Sequence, residues 1–288
     1  MHGYDTYDIV WRQYYPVIGR FQTVDPLAEI DYSVSPYAYC KGNPINMIDP
    51  TGMQAWTSIQ TDENGKVIAI YNDGDLGVYK HKGVGAEAKK EIDENYSSTN
   101  TSAGGEWMGE TAYWDEFVDR NHNGELKRNS DGSYIPYSNS QIFFDQSWDF
   151  EIDYMNTYSN QFSSLSDLAL GSMPNGFYDI KSRYKSGTGK RLNGKFATAE
   201  SAGNYLAGKN AASRIGFDLY MRLAGALHYG GKFALLNCLL TGKEYGPYPW
   251  YGEINYCARN VIEGWLSNPK GNDRKGALQR SRLMNLTK

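Results

Sequence analysis

The stretch Tyr14–Gly52 reads YYPVIGRFQTVDPLAEIDYSVSPYAYCKGNPINMIDPTG, and its residue types decide how this part of the chain folds. It is rich in Tyr and Pro, alternates aromatic residues with turn-forming residues, and ends on an Asp-Pro-Thr-Gly turn. Such a composition favours short twisted strands joined by tight turns, and it lacks the period of a helix. We therefore expect a short β-rich segment over residues 1–52.

Several short motifs follow one another in this region. They are Tyr4-Asp5, Tyr7-Asp8, Ile18-Gly19-Arg20-Phe21, Asp25-Pro26, Tyr37-Ala38-Tyr39, Asn43-Pro44 and Asp49-Pro50-Thr51-Gly52. Their order resembles the core segment that closes the shell of Rhs (YD-repeat) proteins. The resemblance implies that the shell segment ends at Gly52 and that the residues after it form a linker and a C-terminal toxin used in competition between bacteria.

Rhs proteins cleave themselves at this junction with a pair of Asp residues in two Asp-Pro-x-Gly turns. The resemblance implies Asp25 and Asp49 as that pair. The first turn here ends on Ala28 instead of Gly, and Ala adopts a positive φ only with strain. We therefore do not expect autoproteolysis by this chain alone.

The bulk composition predicts a folded chain. At 288 residues with 40% hydrophobic residues, it can bury a core. We predict an α+β fold with four segments: the Rhs core terminus at 1–52, a β-hairpin and linker at 53–105, an acidic aromatic pre-toxin region at 106–175, and a basic, mainly α-helical toxin domain at 176–288. The cysteines, Cys40, Cys238 and Cys257, have no Cys-x-x-Cys spacing, so we expect buried free thiols.

No stretch of the sequence has the pattern of a signal peptide, and the longest apolar segment, Phe233–Leu240, is too short to span a bilayer. The Rhs resemblance implies secretion or translocation into a target cell by specialised machinery, and a cognate immunity protein as partner.

Charge is distributed unevenly along the chain. Residues 1–176 contain 11 Lys and Arg against 26 Asp and Glu, a balance of −15, whereas residues 177–288 contain 18 against 7, a balance of +11. A basic domain behind an acidic one is typical of a protein that acts on a polyanion, RNA more readily than cell-wall glycan. A basic surface that only keeps the domain in solution is the alternative.

Local patterns predict the following elements. We expect a hairpin or meander over Trp56–Lys80 with a type I′ turn at Asn64-Gly65. Helices are expected over 86–94 and 163–170, with a flexible linker over 97–105, followed by a strand over 177–181 and a loop through Gly194. Further helices are expected over 198–212, where small residues would allow close approach to a neighbour, over 217–228, which Gly230-Gly231 would end, and over 233–240 and 253–266, followed by a basic tail over 268–288.

One loop has the ligand spacing of a calcium site. Asp119, Asn121, Asn123 and Glu125 lie at alternate positions, and the sixth residue, Gly124, is a glycine as in an EF-hand. The twelfth position, however, is Ser130 instead of a bidentate Glu. The competing interpretation is an ordinary turn, with no cofactor bound.

A second resemblance involves the basic part of the chain. The motifs are Asp179-Ile180-Lys181, Gly203-Asn204-Tyr205, Leu223-Ala224-Gly225-Ala226 with His228, and Gly252-Glu253-Ile254-Asn255-Tyr256. Their order is similar to the polymorphic toxin type 44 domain, for which a ribonuclease-like activity has been proposed.

These residues can supply acid–base chemistry. A metal-independent ribonuclease needs a base, an acid and a cation, for which His228, Asp179 or Glu253, and Lys181 are the candidates. Asn204, Tyr205, Asp218 and Tyr256 are candidate substrate-binding residues. A peptidoglycan or envelope hydrolase would instead use Glu253 with Asp179 or Asp218, and an inactive cassette would only bind its immunity protein.

Each of these candidates also has a structural interpretation. His228 lies near the apolar stripe of its helix and would then be a semi-buried packing residue. Asp218 and Glu253 lie at predicted helix starts, where acidic residues are favourable. Asp179 and Lys181 would form a surface ion pair if the strand prediction holds.

Overall fold

A computed structural model describes residues 6–9, 12–24, 35–39, 56–97, 99–145 and 149–286, with side chains up to residue 281. The chain has an α+β fold, which confirms the predicted class. The described residues form two compact units. The first unit comprises the chain up to Val118, Arg128–Pro136 and the last residues from Asn285, and the second comprises Asp119–Lys127 and Tyr137–Met284.

The first unit begins with a small antiparallel sheet of three strands, in the order β1 (Tyr7–Ile9), β2 (Arg12–Tyr15) and β3 (Arg20–Phe21). The side chain of Phe21 is buried and contacts the rings of Tyr14 and Tyr39, and the Arg12 guanidinium lies 3.6 Å above its centroid. Short strands therefore form where the aromatic pattern predicts them. Asp25 and Asp49 lie outside the described residues.

A second sheet completes this unit. Its strands are β4 (Thr57–Thr61), β5 (Val67–Asn72), β6 (Gly77–Lys80) and β7 (Glu106–Glu110), in the order β5-β4-β6-β7, with helix α1 (Ala86–Asn95) between β6 and β7. Since β6 pairs with β4 in parallel, the segment is more than a simple hairpin or meander.

The Asn64-Gly65 turn differs from its prediction. A type I′ turn needs positive φ at both central residues, and of the two only Gly65 has it, at 79°. The pairing register shifts between Gln60 and Thr61, so the hairpin is closed by a bulge. Asp62 stabilises this loop, because its carboxylate accepts hydrogen bonds from the backbone of Asn64 and Lys66.

Among the described residues, the second unit contains a small sheet and seven helices. These elements are β8 (Gln141–Ile142), α2 (Ile152–Phe162), α3 (Leu165–Gly171), α4 (Ile180–Tyr184), β9 (Thr188–Leu192), β10 (Lys195–Thr198), α5 (Ala199–Ala211), α6 (Phe217–Thr241), α7 (Asn255–Ser267) and α8 (Arg274–Leu286). The sheet order is β10-β9-β8. The predicted helices over 163–170, 198–212 and 253–266 correspond to α3, α5 and α7.

The compact units do not follow the boundaries predicted at 105/106 and 175/176. Strand β7, which follows Gly105, pairs with β6 in the same sheet. Strand β8 and helix α2 lie before residue 176, yet β8 pairs with β9 and α2 packs on α5. The region after Met53 is therefore divided near Val118 instead.

Two predictions between residues 177 and 194 are wrong. Residues 177–181 do not form a strand, because the Asp179 carboxylate accepts hydrogen bonds from the backbone and hydroxyl of Ser182 and caps α4. The predicted loop through Gly194 is the β9–β10 hairpin. Its turn is Asn193-Gly194, and both residues have positive φ, 52° and 83°, as a type I′ turn requires.

Helices α5 and α7 cross at very short range because each has a glycine at the contact. A Cβ on Gly208 would lie 2.1 Å from the carbonyl oxygen of Val261, and one on Gly264 would lie 1.8 Å from that of Tyr205. The small residues of α5 thus allow the close helix packing that its sequence predicts. The side chains of Phe217 and Trp265 are fully buried beside this crossing.

Helix α6 breaks at Gly230-Gly231, as predicted, with Gly231 at φ 63°. The basic tail is packed at least as far as Arg280, whose guanidinium is buried against Asp218. Cys238 and Cys257 are buried free thiols, as predicted, and Cys40 lies outside the described residues. No helix in the described part of the chain is long and apolar enough to cross a bilayer.

Candidate functional site

The second unit brings His228 and Glu253 together. His228 lies on α6 just before the glycine break, and Glu253 lies two residues before the first residue of α7. The distance from His228 Nδ1 to Glu253 Oε1 is 3.6 Å, and the side chains are 29% and 11% exposed. The pair is therefore mostly enclosed but open to solvent on the histidine side.

A glycine on α6 makes this juxtaposition possible. A Cβ on Gly225 would lie 2.2 Å from the carbonyl oxygen of Tyr251, so only glycine lets the backbone before α7 lie directly on α6. Gly252 then turns the chain with a φ of 102°, which favours glycine. Because His228 follows Gly225 by three residues, it lies on the same side of the helix.

Lys181 and Glu200 contribute a second charged pair. Their Nζ and Oε1 atoms lie 4.0 Å apart, and the side chains are 40% and 21% exposed. Glu200 is held in the first turn of α5, whose N-terminus Thr198 caps by accepting a hydrogen bond from the Ser201 backbone. Lys181 extends from α4, the helix that Asp179 caps.

Burial sets the protonation of Glu253. It raises the pKa of this carboxyl from 4.5 to about 7, although the hydrogen bond from the Ile254 backbone and the positive charge of Lys181 partly oppose it. A carboxyl with this pKa is divided between its acid and base forms at neutral pH. It can therefore release or accept a proton without a large free-energy cost.

The neighbouring groups have complementary states. Burial and the nearby His122 and Lys181 lower the pKa of His228 below 6.5, so its imidazole is neutral at pH 7. Burial would lower the pKa of Lys181, but Cys257, Glu200 and Glu253 raise it instead. The site therefore combines a neutral base, a carboxyl that titrates near 7 and a permanent cation.

His122 is a site residue that the sequence interpretation missed. Its exposed ring stacks on that of His228, with centroids 5.7 Å apart and an interplanar angle of 11°. The residue belongs to the Asp119–Lys127 turn, for which the sequence indicates only a metal loop or an ordinary turn. No signal in the sequence links residue 122 to residue 228, because the contact depends on tertiary packing.

The side-chain oxygens of Asp119 and Asn121 in the predicted calcium loop have partners within the turn. Asp119 forms an ion pair with Lys127 at 2.7 Å, and the side-chain oxygen of Asn121 accepts hydrogen bonds from the backbone of Asn123 and Glu125. Among the described residues, no group of three or more His, Cys, Asp or Glu side chains is arranged to hold a metal. These contacts are those of the ordinary turn, and calcium binding is left to a comparison of melting temperatures with and without the metal.

Two further side chains close the site with neutral groups. Burial and the carboxyl of Glu253 raise the pKa of the Cys257 thiol far above its usual value. Burial likewise raises that of the Tyr220 phenol, with Glu253 adding to the effect. Because the thiol stays protonated at neutral pH, Cys257 is a poor nucleophile.

The predicted substrate-binding residues fall into two groups. Asn204 lies one turn after Glu200; its amide nitrogen is buried, and its side chain interacts with the Cys257 thiol. Tyr205 and Tyr256 are buried, and the Tyr256 hydroxyl is bonded to Thr198 and Ser201. Their roles are accordingly in packing and capping.

Asp218 is bound in a separate network with Arg280, Arg222 and Tyr251. Partial burial would raise the pKa of this carboxyl, but these hydrogen bonds outweigh it and lower the pKa. Such a carboxylate stabilises the packing of α8 and is a poor proton donor. Asp179 is occupied as the cap of α4, where its carboxylate accepts hydrogen bonds from Ser182.

Comparison of the chain with models of known protein families, with curated proteins and with solved structures gave no match.

Proposed function

We propose that this chain is the C-terminal toxin portion of an Rhs-type system and that its second unit cleaves RNA by general acid–base catalysis. The observation that carries the proposal is the 3.6 Å contact between His228 and Glu253, with Lys181 charged beside them. A carboxyl with a pKa near 7 next to a neutral imidazole is a costly arrangement that packing alone does not require.

The proposed reaction needs no group beyond these three. Neutral His228 accepts the proton of the ribose 2′-hydroxyl as the oxygen attacks phosphorus, and protonated Glu253 donates its proton to the departing 5′-oxygen. Lys181 stabilises the negative charge on the phosphorane. Transfer of the proton from His228 to Glu253 across their contact then restores the starting state.

Other features favour a nucleic acid as substrate. Residues 177–288 carry the balance of +11 that attracts a polyanion. His122, stacked on His228, is exposed and placed to contact a bound nucleotide.

A cell-wall glycan is the second candidate. The carboxyl of Glu253, with its raised pKa, is suited to protonate a glycosidic oxygen, and Glu200 provides a second carboxylate close to Lys181. The partners first considered, Asp179 and Asp218, are occupied in a helix cap and an ion-pair network. Glu200 replaces them in this alternative.

Expression of the full chain separates these candidates. The full chain is needed because the second unit includes β8, α2 and the turn with His122, which a fragment starting at residue 176 would lack. The chain is expressed in bacteria with and without an added export signal, and growth and total RNA are followed. Killing in the cytoplasm with loss of RNA supports the nuclease. Killing only after export, with lysis, supports hydrolysis of cell-wall glycan instead.

The same assay includes variants. Glu253→Gln and His228→Ala are expected to abolish killing, whereas Glu263→Gln, which changes an exposed carboxyl on α7, is expected to leave killing unchanged. If the folded wild-type chain kills in neither compartment, the proposed nuclease activity is rejected. The chain would then be an inactive cassette that only binds its immunity protein.

A further inference from the structure

The second half of α6 exposes large apolar side chains that no other part of the described chain covers. Phe233, Leu236, Leu239 and Leu240 are 89%, 53%, 55% and 77% exposed. We call these four residues the α6 apolar face. Isolated exposed apolar residues are common, but a contiguous group on one helix marks a site of interaction.

The helical period separates this face from the part of α6 that packs on the protein. Phe233, Leu236 and Leu240 follow the i, i+3, i+7 spacing of a single face. Ala234 and Cys238 lie on the opposite side and are buried, with Leu223 and Tyr245 packed against them. The helix is thus anchored by small residues and presents its largest ones to solvent.

Charge around the face favours an anionic partner. The sequence from Leu219 to Lys243 contains no Asp or Glu, and Lys232 and Lys243 are exposed at the two ends of the helical segment after the glycine break. The only other cation there, Arg222, is already paired with Asp218 and Glu244. Two lysines thus remain to flank the apolar face.

A tyrosine occurs at the margin of the same surface. Tyr229 is 69% exposed, and its ring contacts that of Tyr245, which packs against the cluster of Ala234 and Cys238. A tyrosine with an apolar ring and a polar hydroxyl is suited to the boundary between lipid headgroups and acyl chains. An apolar helix face with lysines at both ends and a tyrosine at its edge matches helices that lie in the plane of a membrane surface.

We propose that the α6 apolar face docks on the surface of an anionic lipid bilayer, with Phe233, Leu236 and Leu240 inserted below the headgroups and Lys232 and Lys243 against lipid phosphates. The glycine break at Gly230-Gly231 sets the direction of this segment independently of the preceding half of α6, which carries His228. This inference does not depend on the reaction catalysed.

The test is flotation of the full chain with lipid vesicles. Phosphatidylcholine vesicles with and without phosphatidylglycerol are compared, and the chain is expected to float with the anionic vesicles and to be released by salt. Phe233→Ser with Leu240→Ser is expected to lower the bound fraction at least about tenfold, since both side chains would lose their burial in lipid.

Two sets of variants sharpen the result. Tyr154→Ser with Phe162→Ser changes two similarly exposed aromatic residues on α2, 62% and 66% exposed, and is expected to leave vesicle binding unchanged. Lys232→Glu with Lys243→Glu is expected to remove the preference for anionic vesicles. Circular dichroism checks that each variant is folded.

The proposal fails if the wild-type chain does not bind anionic vesicles, or if the Phe233 and Leu240 double variant binds as well as wild type. It also fails if the chain is a dimer in solution that the same two substitutions dissociate, because the face would then be covered by a second copy.

Discussion

Replacing Glu253 by Gln removes the charge of this carboxyl while keeping its shape, and the structure predicts that the variant is more stable than wild type at alkaline pH. The pKa of Glu253 rises from 4.5 to about 7 on folding. At ~1.4 kcal/mol for each pKa unit, ionising the folded protein costs about 3 kcal/mol more than ionising the unfolded chain. The side chain is only 11% exposed, so screening by solvent is limited.

The sign of the effect follows from linkage. A group whose pKa is raised by folding contributes stability below its unfolded pKa of 4.5, and this stability is lost as pH rises through about 7. Gln does not ionise and avoids that loss. Glu253→Gln should therefore raise the free energy of unfolding by about 3 kcal/mol at pH 8.5 and by less than ~1 kcal/mol at pH 5.

Urea unfolding at the two pH values measures this difference. Glu263→Gln, which changes an exposed carboxyl on α7, is the matched control and should show no such dependence on pH. If Glu253→Gln is no more stable than wild type at pH 8.5, or gains equally at both pH values, Glu253 is not held as a costly buried acid and the argument for its role in proton transfer is wrong.

Other contacts of the second unit can be tested in four ways. RNA cleavage should have a bell-shaped pH profile, with an acidic limb below 6.5 from His228 and an alkaline limb at about 7 from Glu253; a profile that keeps rising above pH 8 would contradict this. His122→Ala should raise the pKa of His228 in an NMR titration, because a neighbour that disfavours its protonation is removed; an unchanged or lower value would exclude the coupling. Gly225→Ala should cost about 1–3 kcal/mol in unfolding experiments, since the added Cβ would overlap the Tyr251 carbonyl, while Gly203→Ala, whose Cβ would meet its nearest atom at 3.5 Å, should be tolerated. The melting temperature should be the same in calcium and in a chelator because Asp119 and Asn121 already have partners; a clear rise in calcium would establish the Asp119–Glu125 loop as a metal site.

Local signals in the sequence predicted much of the secondary structure. The 3.6-residue period of 217–228, the glycine pair after it and the small residues of α5 all led to elements that the structure contains. These predictions succeeded because apolar period, capping and glycine act over a few neighbouring residues.

The errors arose where two local signals competed. The alternation of residues 177–181 indicated a strand, but the Asp179 cap on Ser182 favours a short helix. Asn193-Gly194 has the same Asn-Gly pattern of a hairpin turn as Asn64-Gly65. The segment was nevertheless predicted as a loop, because its many basic and glycine residues are not typical of strands. At Asn64-Gly65 the bulge depends on Asp62, whose hydrogen bonds select the turn.

The candidate site was predictable only in part. His228, Glu253 and Lys181 were found as chemically suitable residues, and the fold brings them together. Glu200 and His122 were not found, since their positions depend on how α5 and the 119–127 turn pack. Asp218 could not be separated from these residues by sequence, because its ion pair with Arg280 joins groups 62 positions apart.

Cleavage of a defined RNA by the purified full chain is the decisive experiment for the proposed roles of His228 and Glu253. The assay compares an RNA strand with the same strand carrying 2′-O-methyl groups, at neutral pH. Wild type should cleave only the unmodified strand and leave a 2′,3′-cyclic phosphate. Glu253→Gln and His228→Ala should remain folded and lower the rate about 10²-fold or more. Equal cleavage of both strands, or full activity in the Glu253→Gln variant, would exclude general acid–base catalysis of RNA cleavage by this pair.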